Sequence, residues 1–133
     1  MYLPFIERES CITYFDGDNF KNINDTYGHG YGDECLKIIC ECIRKIYDGY
    51  GKCFRIGGDE FCVILNRGNK DVELLNQQFF GLLEERRRED TRIPYVSIGY
   101  VYFDPSKNDI EEAIKEADQM MYVYKKKNKI HSH

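Results

Sequence analysis

A predicted β-hairpin centres on Arg55-Ile56-Gly57-Gly58-Asp59-Glu60-Phe61, which joins the apolar runs Lys52-Cys53-Phe54 and Phe61-Cys62-Val63-Ile64-Leu65. Both runs are rich in aromatic and branched residues and are bounded by turn formers, which is typical of β-strands. Glycine adopts positive φ at little steric cost, so Gly57 and Gly58 are expected to make a tight reversal with positive φ. The hairpin would then carry two carboxylates, Asp59 and Glu60, at its tip.

The paired carboxylates allow two interpretations of this tip. A structural reversal needs only one polar residue, whereas two neighbouring carboxylates repel each other unless water solvates them or a cation binds them. Divalent metals such as Mg²⁺ prefer oxygen ligands. Because short motifs often match by chance, the hairpin alone is equally consistent with a solvated turn and with a metal site.

A second polar motif runs from Asp16 to Asp33, as Asp-Gly-Asp-Asn-Phe-Lys-Asn-Ile-Asn-Asp-Thr-Tyr-Gly-His-Gly-Tyr-Gly-Asp. With the hairpin, it resembles the GGDEF family, the diguanylate cyclases. That family's pattern is Asp-x-Asp-x-Phe-Lys-x-Ile-Asn-Asp-x-Tyr-Gly-His-x-x-Gly-Asp and then Arg-x-Gly-Gly-Asp-Glu-Phe. Every fixed position is present here. The later segments Val96-Ser97-Ile98-Gly99 and Ala117-Asp118-Gln119-Met120-Met121-Tyr122 are also similar, so the resemblance covers nearly the whole chain.

Length and charge limit the possible classes of protein. The 133 residues are enough for one domain with a real core, so residues 1–133 are predicted to form a single domain. The formal charge of 19 − 23 = −4 argues against a general nucleic-acid binder. No apolar run approaches a membrane span and no signal-peptide pattern opens the chain, so we expect a soluble, cytoplasmic domain without membrane contact.

The six cysteines are predicted to be buried free thiols. Most occupy apolar positions of predicted strands or helices. No Cys-x-x-Cys pair occurs, and the spacing of Cys40-Glu41-Cys42 is unusual for zinc. We therefore prefer packing to a metal or disulfide role.

Apolar spacing and turn formers predict the element order β-α-α-β-β-α-β-α. Strands are expected at residues 11–15, 52–56, 60–65 and 95–103. The helices are expected at residues 19–27, from Asp33 until Gly49, from Val72 through the charged tail near Asp90, and at residues 110–127. Gly28, Gly30 and Gly32 are expected to form a loop before the second helix.

Helical spacing also predicts which residues face the core. The expected stripe of the second helix is Leu36, Ile39, Cys40, Ile43, Ile46 and Tyr47, and that of the last helix is Ala113, Ala117, Met120, Met121 and Tyr124. The alternation of helices and strands indicates an α/β (α+β) sandwich with a mostly antiparallel sheet. The family resemblance implies the ferredoxin-like, palm-type core of nucleotidyl cyclases.

The resemblance implies an activity and its cofactor. Family members join two GTP molecules into cyclic di-GMP and release pyrophosphate, acting as homodimers in which each subunit carries one GTP. Two Mg²⁺ ions, with Mn²⁺ as a possible substitute, would neutralise the phosphates and activate the 3′-hydroxyl. By resemblance, Asp16 and Asp59 bind metal through their side chains, Gly17 through its carbonyl, and Glu60 supports the metal site. Asp59 or Glu60 acts as base.

The resemblance also implies the guanine contacts. Asn24 and Asp33 correspond to the family's guanine readers, since an amide and a carboxylate together can pair with the O6, N1–H and N2–H₂ edge. Without the family match, the simpler interpretation is an Asn turn residue and an N-cap Asp. With the match, GTP is expected to be preferred over ATP.

Phosphate contacts are implied from three places. Lys21 and the backbone amides near Asn19 and Phe20 resemble a phosphate cradle, and Gly58 is placed beside the substrate. Near the C-terminus, Lys125 and Lys129 match the family's closing Lys and Arg, although Tyr124, Asn128 and Lys129 depart from its usual Ala, Gly and Arg. For Lys125, a basic helix end favoured by the helix dipole is the simpler alternative.

Two further residues have structural interpretations. Asp18 either belongs to the acidic site or, as we prefer, caps the following helix. His29 is expected to pack in a loop rather than to act in catalysis.

Two family features are absent. The opening Asp-x-Leu-Thr-Gly-Leu-x-Asn-Arg motif is missing, so we expect an N-terminally truncated domain that is fused or coupled to a sensor domain in the full-length protein. The inhibitory Arg-x-x-Asp motif is replaced by Asp48-Gly49-Tyr50-Gly51, so we expect no product feedback there. The altered ends favour the alternative of a regulatory module that binds GTP without turnover. A ferredoxin-like RNA-binding module is disfavoured by the acidic charge.

Overall fold

The eight elements follow the predicted order. The computed structural model describes residues 9–66 and 71–131, with side chains described as far as Val123. The elements are β1 Ser10–Gly17, α1 Phe20–Tyr27, α2 His29–Tyr47, β2 Gly51–Arg55, β3 Glu60–Asn66, α3 Val72–Glu89, β4 Val96–Phe103 and α4 Ile110–His131. Within this part of the chain, no helix combines the length and the apolar character needed to cross a bilayer.

The four strands form one antiparallel sheet in the order β2-β3-β1-β4. The α/β fold class with an antiparallel sheet is therefore confirmed. Strand β1 is central: it pairs with β3 from Ser10↔Asn66 to Asp16↔Glu60, and with β4 from Ser10↔Phe103 to Gly17↔Val96. Because both faces of β1 are covered, its sequence lacks the polar alternation of a half-exposed strand.

The two faces of the sheet carry separate cores. Alternate residues of a strand point to opposite faces. Phe15 therefore packs on the side of α1, α2 and α3, where it makes edge-to-face contacts with Tyr47 and Phe79 at 5.4 and 5.3 Å. Ile12 and Tyr14 pack on the side of α4.

Helix α4 lies very close to β4. A Cβ at Gly99 would lie 1.9 Å from the Ala117 carbonyl oxygen and 2.3 Å from the Met121 nitrogen, so only glycine fits there. Ala113, Ala117 and Met121 are buried as predicted. The prediction for Met120 is wrong, since 47% of this residue is exposed; the spacing of four residues from Ala113 through Ala117 leads to Met121 instead. Tyr124 lies outside the described side chains.

Helix α2 begins four residues earlier than predicted. Gly28 has a φ of 89° and separates α1 from α2, while Gly30 and Gly32 lie inside α2 rather than in a loop. Glycine is required at position 32, because a Cβ there would lie 1.8 Å from Asn24 Oδ1. His29 is the exposed first residue of α2, so its predicted packing role is wrong.

The cysteines are free, and Cys11, Cys35, Cys42 and Cys62 are buried as predicted. Burial raises the pKa of the Cys62 thiol to about 12, which keeps it protonated and inert. The prediction fails for Cys53, which is exposed on β2, and Cys40 is only partly buried.

Candidate active site

Three carboxylates meet where β1 ends beside the hairpin. Asp16 lies opposite Glu60 in the β1–β3 pairing, and Asp59 is the residue before Glu60. One carboxylate oxygen from each of the three residues lies within 4.8 Å of the other two, and all three residues are half-buried. This acidic triad is a compact set of hard oxygen donors, which is the donor chemistry that Mg²⁺ and Mn²⁺ prefer.

The hairpin loop is braced from both sides. Arg55 donates from Nε to the Gly57 carbonyl at 3.1 Å and from Nη2 to the Gly58 carbonyl at 2.7 Å. On the β1 side, the Gly17 amide donates to the Asp59 carbonyl at 3.2 Å. These bonds fix the backbone on which Asp59 lies. The hydrogen bonds from Arg55 to this loop were not predicted from the sequence.

Positive φ does not shape this reversal. The glycines with positive φ in the described ranges are Gly28 and Gly49, so the prediction for Gly57 and Gly58 is wrong. The reversal spans residues 56–59 between the strands, and a loop of that length does not need the mirror-image turn of a two-residue hairpin. Neither a clash nor a positive φ explains Gly58, because a Cβ there would meet nothing within 4 Å.

The turn after β1 is tied to β4. The Asp18 amide donates to the Tyr95 carbonyl at 2.8 Å, and Ser97 Oγ donates to Asp18 Oδ1 at 2.7 Å. The N-cap of α1 is Asn19, so the capping role predicted for Asp18 is wrong. Ser97 is completely buried and lies opposite Asp16 in the register of β4, which places its hydroxyl within reach of Asp18.

Helix α1 presents its amino end beside this turn. Asn19 has a φ of 54° and makes no side-chain capping bond. The first bond of the helix is from the Ile23 amide to the Asn19 carbonyl, so the amides of Phe20 and Lys21 precede it. Phe20 anchors the helix in the core and Lys21 is exposed. An anion is favoured at such a helix end.

The predicted guanine readers lie on the two helices beyond this turn. Asn24 is half-buried on α1, with its Oδ1 against Gly32 of α2, and Asp33 follows as an exposed residue. Asp33 lies inside α2, so the simpler N-cap interpretation is wrong. Together with Arg55 and Phe61, Asp33 borders a groove of about 500 Å³ between α2 and the hairpin strands.

The predicted basic residues of the last helix are only partly placed. Lys125 and Lys129 belong to α4, which packs on the face of the sheet that also carries Tyr14. Their side chains lie outside the described part of the chain. Their contact with phosphate stays a prediction.

One buried residue of the site was missed by the sequence analysis. The hydroxyl of Tyr14 donates a hydrogen bond to Glu60 Oε2. Burial, the bond to Glu60 and the nearby Asp16 and Asp118 carboxylates all raise the Tyr14 pKa, so the phenol stays protonated and remains a donor. The sequence does contain one sign of this role: Tyr14 lies two residues before Asp16, which puts both side chains on one face of β1.

Comparison with known proteins supports the resemblance. The family model described as "Diguanylate cyclase, GGDEF domain" matches residues 7–131. The diguanylate cyclase DgcP of Escherichia coli (strain K12) is 36% identical over 128 residues, which cover 91% of this chain and 37% of DgcP. This chain thus spans little more than a third of that relative.

Solved structures also align with most of the chain. An EAL/GGDEF domain protein from M.capsulatus aligns with a TM-score of 0.75 at 28% identity, covering 91% of this chain and 81% of that one. The active GGEEF domain of a diguanylate cyclase from Vibrio cholerae aligns with a TM-score of 0.68 at 28% identity, covering 90% of this chain and 78% of that one.

Proposed function

Because the chain belongs to the GGDEF family, we propose that it is a diguanylate cyclase domain that condenses two GTP molecules into cyclic di-GMP. The single observation that carries this proposal is the acidic triad of Asp16, Asp59 and Glu60 at the end of the central strand. The name of its relative DgcP agrees with that activity. The residues that the resemblance links to guanine, Asn24 and Asp33, lie beyond the triad, across the turn from β1 into α1.

The acidic triad fits the metal requirement of this reaction. Its three carboxylates, together with the Gly17 carbonyl, would hold Mg²⁺, with two ions per site and Mn²⁺ as a substitute. Bound Mg²⁺ supplies charge neutralisation on the triphosphate and a lower pKa for the attacking hydroxyl.

The chain's own groups then have defined parts in the proposed chemistry. The 3′-oxygen of one GTP attacks the α-phosphorus of the other. The bond from that phosphorus to the bridging oxygen breaks, and pyrophosphate leaves with the electron pair. The proton of the hydroxyl passes to the carboxylate of Asp59 or Glu60. The same step, repeated on the second GTP, closes the ring.

Substrate orientation is assigned to the helical side. Asn24 and Asp33 would pair with the guanine edge, in which Asp33 accepts from N1–H and N2–H₂. The first-turn amides of α1, with Lys21 and the exposed backbone at Gly58, would bind phosphate oxygens. A glycine at position 58 leaves room for a phosphate to approach the backbone closely. This would explain why glycine occupies the position, since a Cβ there would meet nothing within 4 Å in the nucleotide-free chain.

Turnover requires two copies of the chain. Each subunit presents one GTP, and ring closure needs the two nucleotides face to face, so we propose a homodimer as the active form. We also propose that further domains of the full-length protein control this dimerisation, since the chain spans only 37% of its relative DgcP.

The direct test is product formation. Purified protein is incubated with GTP and Mg²⁺, and cyclic di-GMP is measured by chromatography, with Asp59→Asn as the inactive control. Product from the unmodified chain and none from the variant would support the cyclase. Calorimetric GTP binding without any product would instead support a regulatory GTP-binding module, to which the altered residues Asn128 and Lys129 point.

A further inference from the structure

The face of the sheet toward α4 carries Tyr14 and two residues of the acidic triad, Asp16 and Glu60. Tyr14 and Asp16 are alternate residues of β1, so their side chains share a face. Their partners on β3 are Cys62 and Glu60 respectively. Tyr14 is therefore the diagonal cross-strand neighbour of Glu60, a separation that a long aromatic side chain can bridge.

The Glu60 carboxylate is held between the phenol of Tyr14 and the hairpin. The Tyr14 hydroxyl donates to Oε2, and Oε2 would lie 3.6 Å from a Cβ at Gly57. Tyr14 is itself 6% exposed and packs with Ile12 and Met121, so its ring has little freedom to move.

We propose that Tyr14 is a positioning residue for Glu60. Its hydroxyl binds one lone pair of Oε2 and turns the carboxylate toward Asp16 and Asp59. Removing the hydroxyl leaves Glu60 free to rotate away from the other two carboxylates, which breaks up the compact donor set. This inference rests on the proposed function only through the metal role of the acidic triad.

A purely structural tyrosine would behave differently. If Tyr14 only fills the core under α4, phenylalanine supplies the same ring and metal binding does not change. If its hydroxyl orients Glu60, loss of that one atom weakens metal binding, because partners that orient metal ligands typically contribute tenfold to a hundredfold in affinity or activity.

The experiment compares Tyr14→Phe with Tyr47→Phe. Tyr47 is a matched control: it is also buried, and its hydroxyl donates to Asn76 Oδ1 at 2.6 Å in the core on the opposite face. Mn²⁺ binding to the nucleotide-free protein is measured by electron paramagnetic resonance. We expect Tyr14→Phe to bind Mn²⁺ at least about tenfold more weakly and Tyr47→Phe to stay within about twofold of the unmodified chain.

A double-mutant cycle with Glu60→Gln tests the route of the effect. If Tyr14 acts through Glu60, adding Tyr14→Phe to Glu60→Gln causes no further loss of Mn²⁺ affinity. In the cyclase assay, Tyr14→Phe should lower kcat while KM for GTP stays within about threefold, because the proposed guanine contacts lie on α1 and α2.

The outcomes separate this inference from the proposed function. Unchanged Mn²⁺ affinity in a folded Tyr14→Phe, additive losses in the double variant, or no Mn²⁺ binding by the unmodified chain would overturn it. Weakened Mn²⁺ binding by Tyr14→Phe in a chain that makes no cyclic di-GMP would uphold the positioning role and reject the cyclase. If Tyr14→Phe does not fold, Tyr14→Met, which also lacks the hydroxyl, decides by the same criterion.

Discussion

The acidic triad and the proposed guanine readers, Asn24 and Asp33, are built in different ways. Asp16 and Glu60 are fixed by strand pairing and Asp59 by a loop that is bonded on both sides, and all three are half-buried. Asn24 and Asp33 lie on two helices, and Asp33 is exposed. Under the proposed function, the carboxylates would be in place before GTP binds, whereas the contacts to guanine would be completed only when the nucleotide covers the helical surface.

The supports of the two regions differ as well. On β1, the Tyr14 hydroxyl donates to Glu60 and the Gly17 amide donates to the Asp59 carbonyl. On β2, Arg55 donates to carbonyls of the loop that carries Asp59. The proposed guanine readers depend on the close approach of α1 to α2, which requires a residue without a side chain at Gly32. It should therefore be possible to damage one region and leave the other intact.

The largest effect is expected from removing charge in the triad. Asp59→Asn should lower cyclic di-GMP formation at least about a thousandfold, as for other essential catalytic groups. The fold should remain, because Asp59 lies in a chain reversal and not in the core. Product assays and thermal unfolding are the measurements, and exposed Glu85→Gln on α3 is the control. Activity of Asp59→Asn within tenfold of the unmodified chain would remove Asp59 from the proposed mechanism.

Base preference should show the next largest effect. We expect GTP to bind at least about a hundredfold more tightly than ATP, or roughly 2.7 kcal/mol, because Asp33 would meet hydrogens on guanine and a lone pair on adenine. Asp33→Ser should narrow this gap, since a hydroxyl both donates and accepts. Calorimetric titration with Ca²⁺ in place of Mg²⁺ avoids turnover. Equal affinities for the two nucleotides in the unmodified chain would reject the role of Asp33.

Alanine variants of two glycines in α2, Gly32 and Gly30, test most directly whether the two regions can be damaged independently. Gly32→Ala would push a Cβ to 1.8 Å from Asn24 Oδ1 and displace that side chain, whereas Gly30→Ala meets nothing within 4 Å. We expect Gly32→Ala to weaken GTP binding about tenfold, the value of one lost hydrogen bond of roughly 1.4 kcal/mol, and to leave Mn²⁺ binding unchanged.

Gly30→Ala is the matched control for that variant. It should keep GTP affinity and raise the free energy of unfolding by roughly 0.5–1 kcal/mol, because alanine is the better helix former. Equal GTP affinities of the two variants would show that the contact of Asn24 with α2 does not matter for binding.

The smallest effect is expected at the turn before β2. Added cyclic di-GMP should compete only weakly with GTP, because residues 48–51 lack the Arg-x-x-Asp pair of the family pattern. Gly51 also has no room for a side chain, since a Cβ would lie 2.1 Å from the Ile64 carbonyl oxygen. Inhibition kinetics test this expectation. Tight noncompetitive inhibition by cyclic di-GMP would contradict it.

Local patterns made much of the fold predictable. The element order and the hairpin with Asp59 and Glu60 follow from residue spacing, since helices and strands are set largely by which side chains can be buried on one face. The candidate residues of both regions were found in continuous motifs, Asp16 to Asp33 and Arg55 to Phe61.

Only the tertiary structure determined how those motifs are supported. The bond from Tyr14 to Glu60 depends on strand register, and the bond from Ser97 to Asp18 joins residues 79 positions apart. The glycines show the same limit. Gly32 and Gly99 must be glycine because atoms of a neighbouring helix lie within 2 Å of where a Cβ would be. Gly57, in contrast, was predicted to have a positive φ and does not. A sequence shows that a residue is small or polar, but its neighbour is set by packing between elements that are distant in the chain.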